Sequence, residues 1–255
     1  MHVSKKYLLN FVSSCSLAAL ALASGSAAAQ PANVNAALAS VLRPSEDIAD
    51  DARRKPAQVL AFAGLETGMD VLELEAGGGY YTELLSRAVG ENGSIILQHP
   101  PGLMGFVGDG IDLRTADNRL PNVRVSVTDF DALDAADNSM DMVTWILGPH
   151  ELGFEPDGNS LGDPADTFSE IARVLKPGGV LLAADHIAPD GAGLEAGGSL
   201  HRIEESVVTQ LAAQAGLTVV RSSDLLKNPS DPLTAGVFDP SIQGRSSKFV
   251  VLYRK

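Results

Sequence analysis

The chain has 255 residues, 45% of them hydrophobic, and a formal net charge of −13 at neutral pH. That length suits one α/β domain with a sizeable core. The acidic balance argues against nucleic acid as a partner, since phosphate binding needs clustered Lys and Arg.

Residues 1–29 read as a secretory signal peptide. Lys5 and Lys6 supply the charged start, Leu17 to Ala23 the apolar run, and Ala27-Ala28-Ala29 a small-residue cleavage site before Gln30. Val12-Ser13-Ser14-Cys15 faintly resembles a lipoprotein site. The most apolar stretch follows Cys15 instead of preceding it, which favours ordinary cleavage. Cleavage would remove the only cysteine and two lysines, leaving a net charge of about −15, no disulfide and no stable membrane anchor. The expected location is periplasmic or secreted.

Residues 30–44 form an N-terminal leader, with Ala36 to Leu42 apolar enough for a short helix that Arg43-Pro44 ends. Residues 45–255 read as one domain. Ser45, followed by acids at 46, 47, 50 and 51, favours a helix start, and Pro56 opens another that buries Val59, Leu60 and Phe62. Between them the run Arg53, Arg54, Lys55 is read as a solvated face in preference to a carboxylate-binding cluster.

Met69 to Leu74 is a buried-strand pattern, followed by Gly77, Gly78 and Gly79 and then by apolar residues at helical spacing, Tyr81, Leu84, Leu85 and Ala88. Ser94 to Leu97 is the returning strand. Glycines at such a turn let backbone pass close under a ligand, and the carboxyl end of a strand is where open α/β sheets bind nucleotides. Gly102 to Arg119 holds a helix of unclear start. Asn122 to Val127 is a strand closed by Thr128-Asp129, and Met140 to Leu147 is a nearly continuous apolar strand of the kind buried on both faces. Asp163-Pro164 starts a helix with the core stripe Phe168, Ile171, Ala172 and Leu175. Lys176-Pro177-Gly178-Gly179 turns into a strand from Val180 to Ala184. A helix from Glu204 to Gly216 precedes strands at Leu217 to Arg221 and Lys248 to Tyr253. The long loop between them, at about 222–247, is of a length usually reserved for function.

Glu73-x-Glu75-x-Gly77-x-Gly79 after a strand resembles the first motif of the class I S-adenosylmethionine-dependent methyltransferases. Asp137-Asn138-Ser139-Met140-Asp141 and Ala172-Arg173-Val174-Leu175-Lys176-Pro177-Gly178-Gly179 resemble two later segments of that family, in the right order. Asp185-His186, His201-Arg202-Ile203 and the proline-rich tail resemble an exported bacterial branch of predicted methyltransferases. The resemblance implies a Rossmann-like fold: a seven-stranded, mostly parallel sheet with an antiparallel last strand and helices on both faces. It also implies S-adenosylmethionine as cofactor, with Glu73, Gly77, Gly78 and Gly79 at its methionine end and Asp129 at its adenine. Gln98, ending the second strand, stands where the family has the ribose-binding acid, and Glu75 stands where it usually has a glycine.

Methyl transfer asks mainly for alignment, because the sulfonium is already an activated donor. Gly148-Pro149-His150-Glu151 follows the fourth strand, where the family contacts its acceptor, so His150 is the candidate base or substrate anchor. Glu151, His186 and His201 are candidate substrate-binding residues near the same rim. These groups also admit reading as a metal site, but without HExxH or similar local spacing ordinary hydrogen bonding is favoured and no metal ligand is assigned. A serine hydrolase is excluded by the lack of a G-x-S-x-G elbow. The reading is methyl transfer to a small-molecule acceptor. Its rivals are a non-catalytic exported ligand-binding protein and, more weakly, a nicotinamide oxidoreductase, which expects an acid where Gln98 lies.

Overall fold

The computed structural model describes Met1 and residues 31–255, so the expected signal peptide and its cleavage site lie almost entirely outside the described residues. Seven strands, β1 (Asp70–Leu74), β2 (Ser94–His99), β3 (Val123–Val127), β4 (Met140–Ile146), β5 (Leu175–His186), β6 (Thr218–Ser223) and β7 (Lys248–Arg254), form one sheet in the order β3-β2-β1-β4-β5-β7-β6. Neighbours run parallel except β7, which is antiparallel to both β5 and β6. The chain leaves β1 toward β2 on one side and later resumes beside it at β4. That reversal opens a crevice at the carboxyl ends of β1 and β4, where ligands bind in such sheets.

Each face of the sheet carries one apolar layer. Helices α1 (Val34–Leu38), α3 (Pro56–Ala63) and α4 (Tyr80–Val89) cover one face, with Leu60, Leu84 and Leu85 packed on Val71 and Ile95. α2 (Ser45–Arg54) precedes α3, and the short α5 (Met104–Val107) and α6 (Gly110–Thr115) connect β2 to β3. The other face carries α7 (Pro164–Val174) and α9 (Glu205–Gln214), whose Phe168, Ile171, Val208 and Ala212 join Trp145 and Leu181 in the core. The short α8 (Ala196–Leu200) lies at the rim of the sheet. Asp163 caps α7 as its sequence implies, its Oδ1 accepting from the N–H groups of Ala165 and Asp166. No helix among the described residues is long and apolar enough to cross a membrane.

Three local features depart from expectation. The leader helix begins at Val34, where the Asn33 side chain accepts the Ala36 N–H and caps it, and stops at Leu38. The turn at 176–179 is a bulge inside β5, where pairing jumps from Met140–Leu175 to Met142–Val180. Finally, β2 extends to His99, two pairs beyond its apolar run, because Gln98 and His99 stay in register with Ser126 and Val127. This last departure changes the site.

Candidate active site

After β1 the chain crosses the sheet edge as Glu75-Ala76-Gly77-Gly78-Gly79. Glu75, Gly77 and Gly79 adopt left-handed backbone, with φ of +48°, +55° and +78°. Glycine accepts this freely, whereas a glutamate needs to be held there. The Gln98 amide does so, accepting the Glu75 N–H at 3.1 Å and donating to the Thr128 carbonyl at 2.6 Å. Side chains added at Gly77 or Gly78 would meet open space, so the backbone of these two residues faces a cavity. Gly79 is instead covered by the Arg114 side chain, 2.9 Å from where its Cβ would stand.

The first cavity, of about 810 Å³, lies on the α2 side of this turn. Glu73, Glu75, Gly77 and Gly78 form its floor, Arg43, Asp47, Asp50 and Arg54 its roof, and Tyr80, Tyr81 and Leu147 its walls. Buried ion pairs hold the roof down. Arg114 bonds Asp47 of α2 at 2.7 Å, and Glu83 of α4 is gripped by Arg87 and Arg119, each at 2.6 Å, and by Arg114 at 3.2 Å. Burial alone would raise the Glu83 carboxyl, and the three guanidiniums reverse that and hold it below its usual range. Glu73 has no such partner. Its carboxylate accepts from Thr82 Oγ1 at 2.5 Å, and burial pushes its pKa up to about 8.

The second cavity, of about 520 Å³, opens on the other side of the turn and shares Glu75, Gly77, Gly78 and Leu147 with the first. Phe106, Phe154, Val237 and Phe238 give it an apolar wall, and His99, His150, Glu151, His186 and His201 give it a polar one. The His150 ring is fixed by Asp185, a fully buried carboxylate at the end of β5. Asp185 accepts the His150 backbone N–H at 2.7 Å and His150 Nδ1 at 2.9 Å, with its other oxygen on the His186 N–H at 2.7 Å. A carboxylate only accepts, so Nδ1 carries a proton and Nε2 is turned to Glu151 Oε1, 3.2 Å away. Burial opposes a charge on His150, but Asp185 and then Glu151 outweigh it and hold its pKa well above the usual value.

The neighbouring rings behave oppositely. Burial, aided by Lys248 and by His150, lowers His186 well below its ordinary value, and burial with His150 lowers His201 as well. His186 Nδ1 is 2.6 Å from Ser246 Oγ. His201 projects from the end of α8 at a left-handed φ of +52°, between Phe154 and Phe238. α8 lies close enough to bring it in because two glycines meet there. A Cβ on Gly197 would strike the His150 carbonyl, and one on Gly153 the Leu194 carbonyl. Burial, followed by repulsion from Glu151, pushes the Glu75 carboxyl well above the carboxylate range. The long loop closes this wall: Asp231 pairs with the fully buried Arg202 at 2.9 Å, and Arg202 also donates to the carbonyls of Ile187 and Ala235.

Residues 72–183, from β1 into β5, match a family model described as a methyltransferase domain. The chain has the Rossmann-like fold of the class I methyltransferases, and this segment is similar to their domain. A ubiquinone/menaquinone biosynthesis C-methyltransferase, UbiE, from Hydrogenovibrio crunogenus is 30% identical over 126 residues, which are 49% of this chain and 45% of that protein. The chain thus spans about half the length of the curated relatives it matches. Among solved structures, a SAM dependent methyltransferase from Aquifex aeolicus superposes with a TM-score of 0.58 at 22% identity, over 83% of this chain and 98% of its own. The [4+2]-cyclase SpnF superposes with a TM-score of 0.56 at 18% identity, over 80% of each chain. The fold therefore carries more than one chemistry, and activity has to be argued from the site.

In this fold Glu73, Gly77 and Gly78 line the first cavity, whereas Gly79 starts α4 beneath Arg114. His150, Glu151, His186 and His201 converge on the second, with ring centres of His150 and His201 5.4 Å apart and of His150 and His186 6.0 Å apart. Two expected cofactor residues lie elsewhere. Gln98 is fully buried, with both ends of its amide bound to backbone, and strand alternation turns the adjacent His99 into the cavity instead. Asp129 lines a separate groove with Asp131, Asp163 and Glu195 and borders neither cavity. Of the basic run, Arg53 pairs with Asp50 and Lys55 with the Leu225 carbonyl, while Arg54 alone borders the first cavity, 4.5 Å over the Tyr80 ring. Sequence reading missed Arg114, which covers the glycine turn from 35 residues away in the chain, and no local pattern signals it.

Proposed function

We propose that the chain transfers a methyl group from S-adenosylmethionine to a small-molecule acceptor that has an apolar, flat body and a polar end. The observation that carries this reading is that two cavities of unlike character meet at Glu75, Gly77, Gly78 and Leu147. The charged cavity suits the amino acid end of the cofactor, with Glu73 for its ammonium and Arg54 for its carboxylate. Its volume lies in the range of small-molecule sites. The methyl-bearing sulfur then belongs at the neck, and the aromatic cavity beyond it takes the acceptor. In this reading Gln98 supports the turn without touching the ribose, and His150 anchors the acceptor. His186 and His201 line the same wall of the acceptor cavity.

The H. crunogenus relative is named a C-methyltransferase, and this favours an acceptor whose carbon is activated by an adjacent oxygen. Calorimetry with S-adenosylmethionine and its demethylated product tests the reading. The wild type is expected to bind both. Gly77→Val, which forces a branched side chain into the floor at positive φ, is expected to weaken binding at least about tenfold, or roughly 1.4 kcal/mol. Failure of the wild type to bind either, with tight binding of a nicotinamide nucleotide, would overturn it.

A further inference from the structure

We infer that His150, Glu151 and His201 form a binding site for a divalent transition metal of the zinc or iron type, facing the aromatic cavity. One ligand atom from each of the three lies within 4.8 Å of the other two. Two imidazoles and one carboxylate are a donor set suited to these ions, and three protein ligands leave a coordination position open. His150 Nε2 and Glu151 Oε1 stand 3.2 Å apart, close to the roughly 3.3 Å that separates two ligands on a tetrahedral ion with bonds of about 2.0–2.1 Å. Only His201, half-buried at the end of α8, has to move inward.

Two independent features support the assignment. Asp185 accepts from His150 Nδ1, which fixes the tautomer so that Nε2 faces the site, the carboxylate–histidine arrangement that supports metal ligands. Glu151 Oε2 is sealed from solvent without a hydrogen-bond partner. A buried acceptor without a donor is rare, and a cation held by Glu151 answers it.

The site does not depend on the methyl-transfer reading, and only its use rests on that reading. An ion there would hold an acceptor through oxygen or sulfur, at the open position, and lower the pKa of that group beside the neck. The sequence hides such a site because its ligands come from the 3-10 turn Pro149–Gly153 and the end of α8, 50 residues apart, with none of the short spacings that mark helical metal motifs.

The test uses the purified chain, stripped with chelator and titrated with Zn²⁺ or Co²⁺. One equivalent is expected to bind, Co²⁺ giving the intense visible absorption of a tetrahedral centre, and Zn²⁺ is expected to raise the melting temperature. His201→Ala, a half-buried position that leaves the core intact, is expected to abolish the Co²⁺ band. Asp185→Asn should keep the ligands but weaken Zn²⁺ about ten- to a hundredfold. Absence of a Co²⁺ band in the wild type, or a band unchanged in His201→Ala, would refute the site. S-adenosylmethionine binding, measured separately, reports on the proposed function alone.

Discussion

Glu73 is a carboxyl group at the floor of a cavity, buried with a hydroxyl for company and no cation in bonding range. Its native pKa of about 8, against 4.5 for the free side chain, means that between those values the folded chain holds a proton the unfolded chain has released. Its contribution to stability is therefore complete below pH 4.5 and is lost as the pH climbs through 8. Glu73→Gln should flatten the fall in stability between pH 5 and 8, by at most about 1.4 kcal/mol per pH unit. A ligand carrying an ammonium group reverses the preference, because it is attracted to the ionised form. Affinity for S-adenosylmethionine is accordingly expected to rise from pH 6 to 8 in the wild type and to stay level in Glu73→Gln. Chemical denaturation and calorimetry at several pH values check both, and parallel profiles for the two proteins would mean that Glu73 is ionised throughout.

At the level of elements, the loop between β6 and β7 depends on one ion pair with no solvent access on either side. Asp231→Asn leaves the Arg202 guanidinium buried and uncompensated, at a cost of about 3–5 kcal/mol. Protease cleavage between residues 224 and 247 is expected to accelerate while the sheet survives, as limited digestion with mass mapping would reveal. Most of this architecture was legible in the sequence. The strand–glycine–helix succession from Met69 to Ala88, the Asp163-Pro164 helix start and the apolar run of β4 are local patterns, and local patterns fix element type. Position at the carboxyl rim was legible where it is set by a residue's own strand, as for Glu73 within β1 and His150 shortly after β4. Gln98 was misplaced because a strand one residue longer sends the next side chain to the opposite face. Asp129 was misplaced because order along the chain does not say which crevice a loop residue borders. Arg114 and the Gly153–Gly197 crossing were invisible for a different reason: each is a contact between distant segments, and only packing brings them together.

For the whole molecule the open matter is where it works. We propose that it is exported, on the charged start, apolar run and alanine-rich site of residues 1–29. Intact mass of the product made with its full N-terminus is expected to begin at or near Gln30; retention of Met1, or an acylated Cys15, would contradict this. Native mass spectrometry of the same sample would reveal whether a cofactor made in the cytoplasm travels with the chain. A final consequence follows from how the aromatic cavity is closed. Val237 and Phe238 belong to a segment outside the sheet's hydrogen-bond ladder, moored to it by Asp231 on one side and by Ser246 on the other. The stretch from 232 to 245 can therefore diverge, lengthen or be grafted from another protein without disturbing β1 or the cofactor turn. If the two cavities divide donor from acceptor as proposed, acceptor choice and methyl donation become separately heritable, and relatives sharing the glycine turn need not share a substrate.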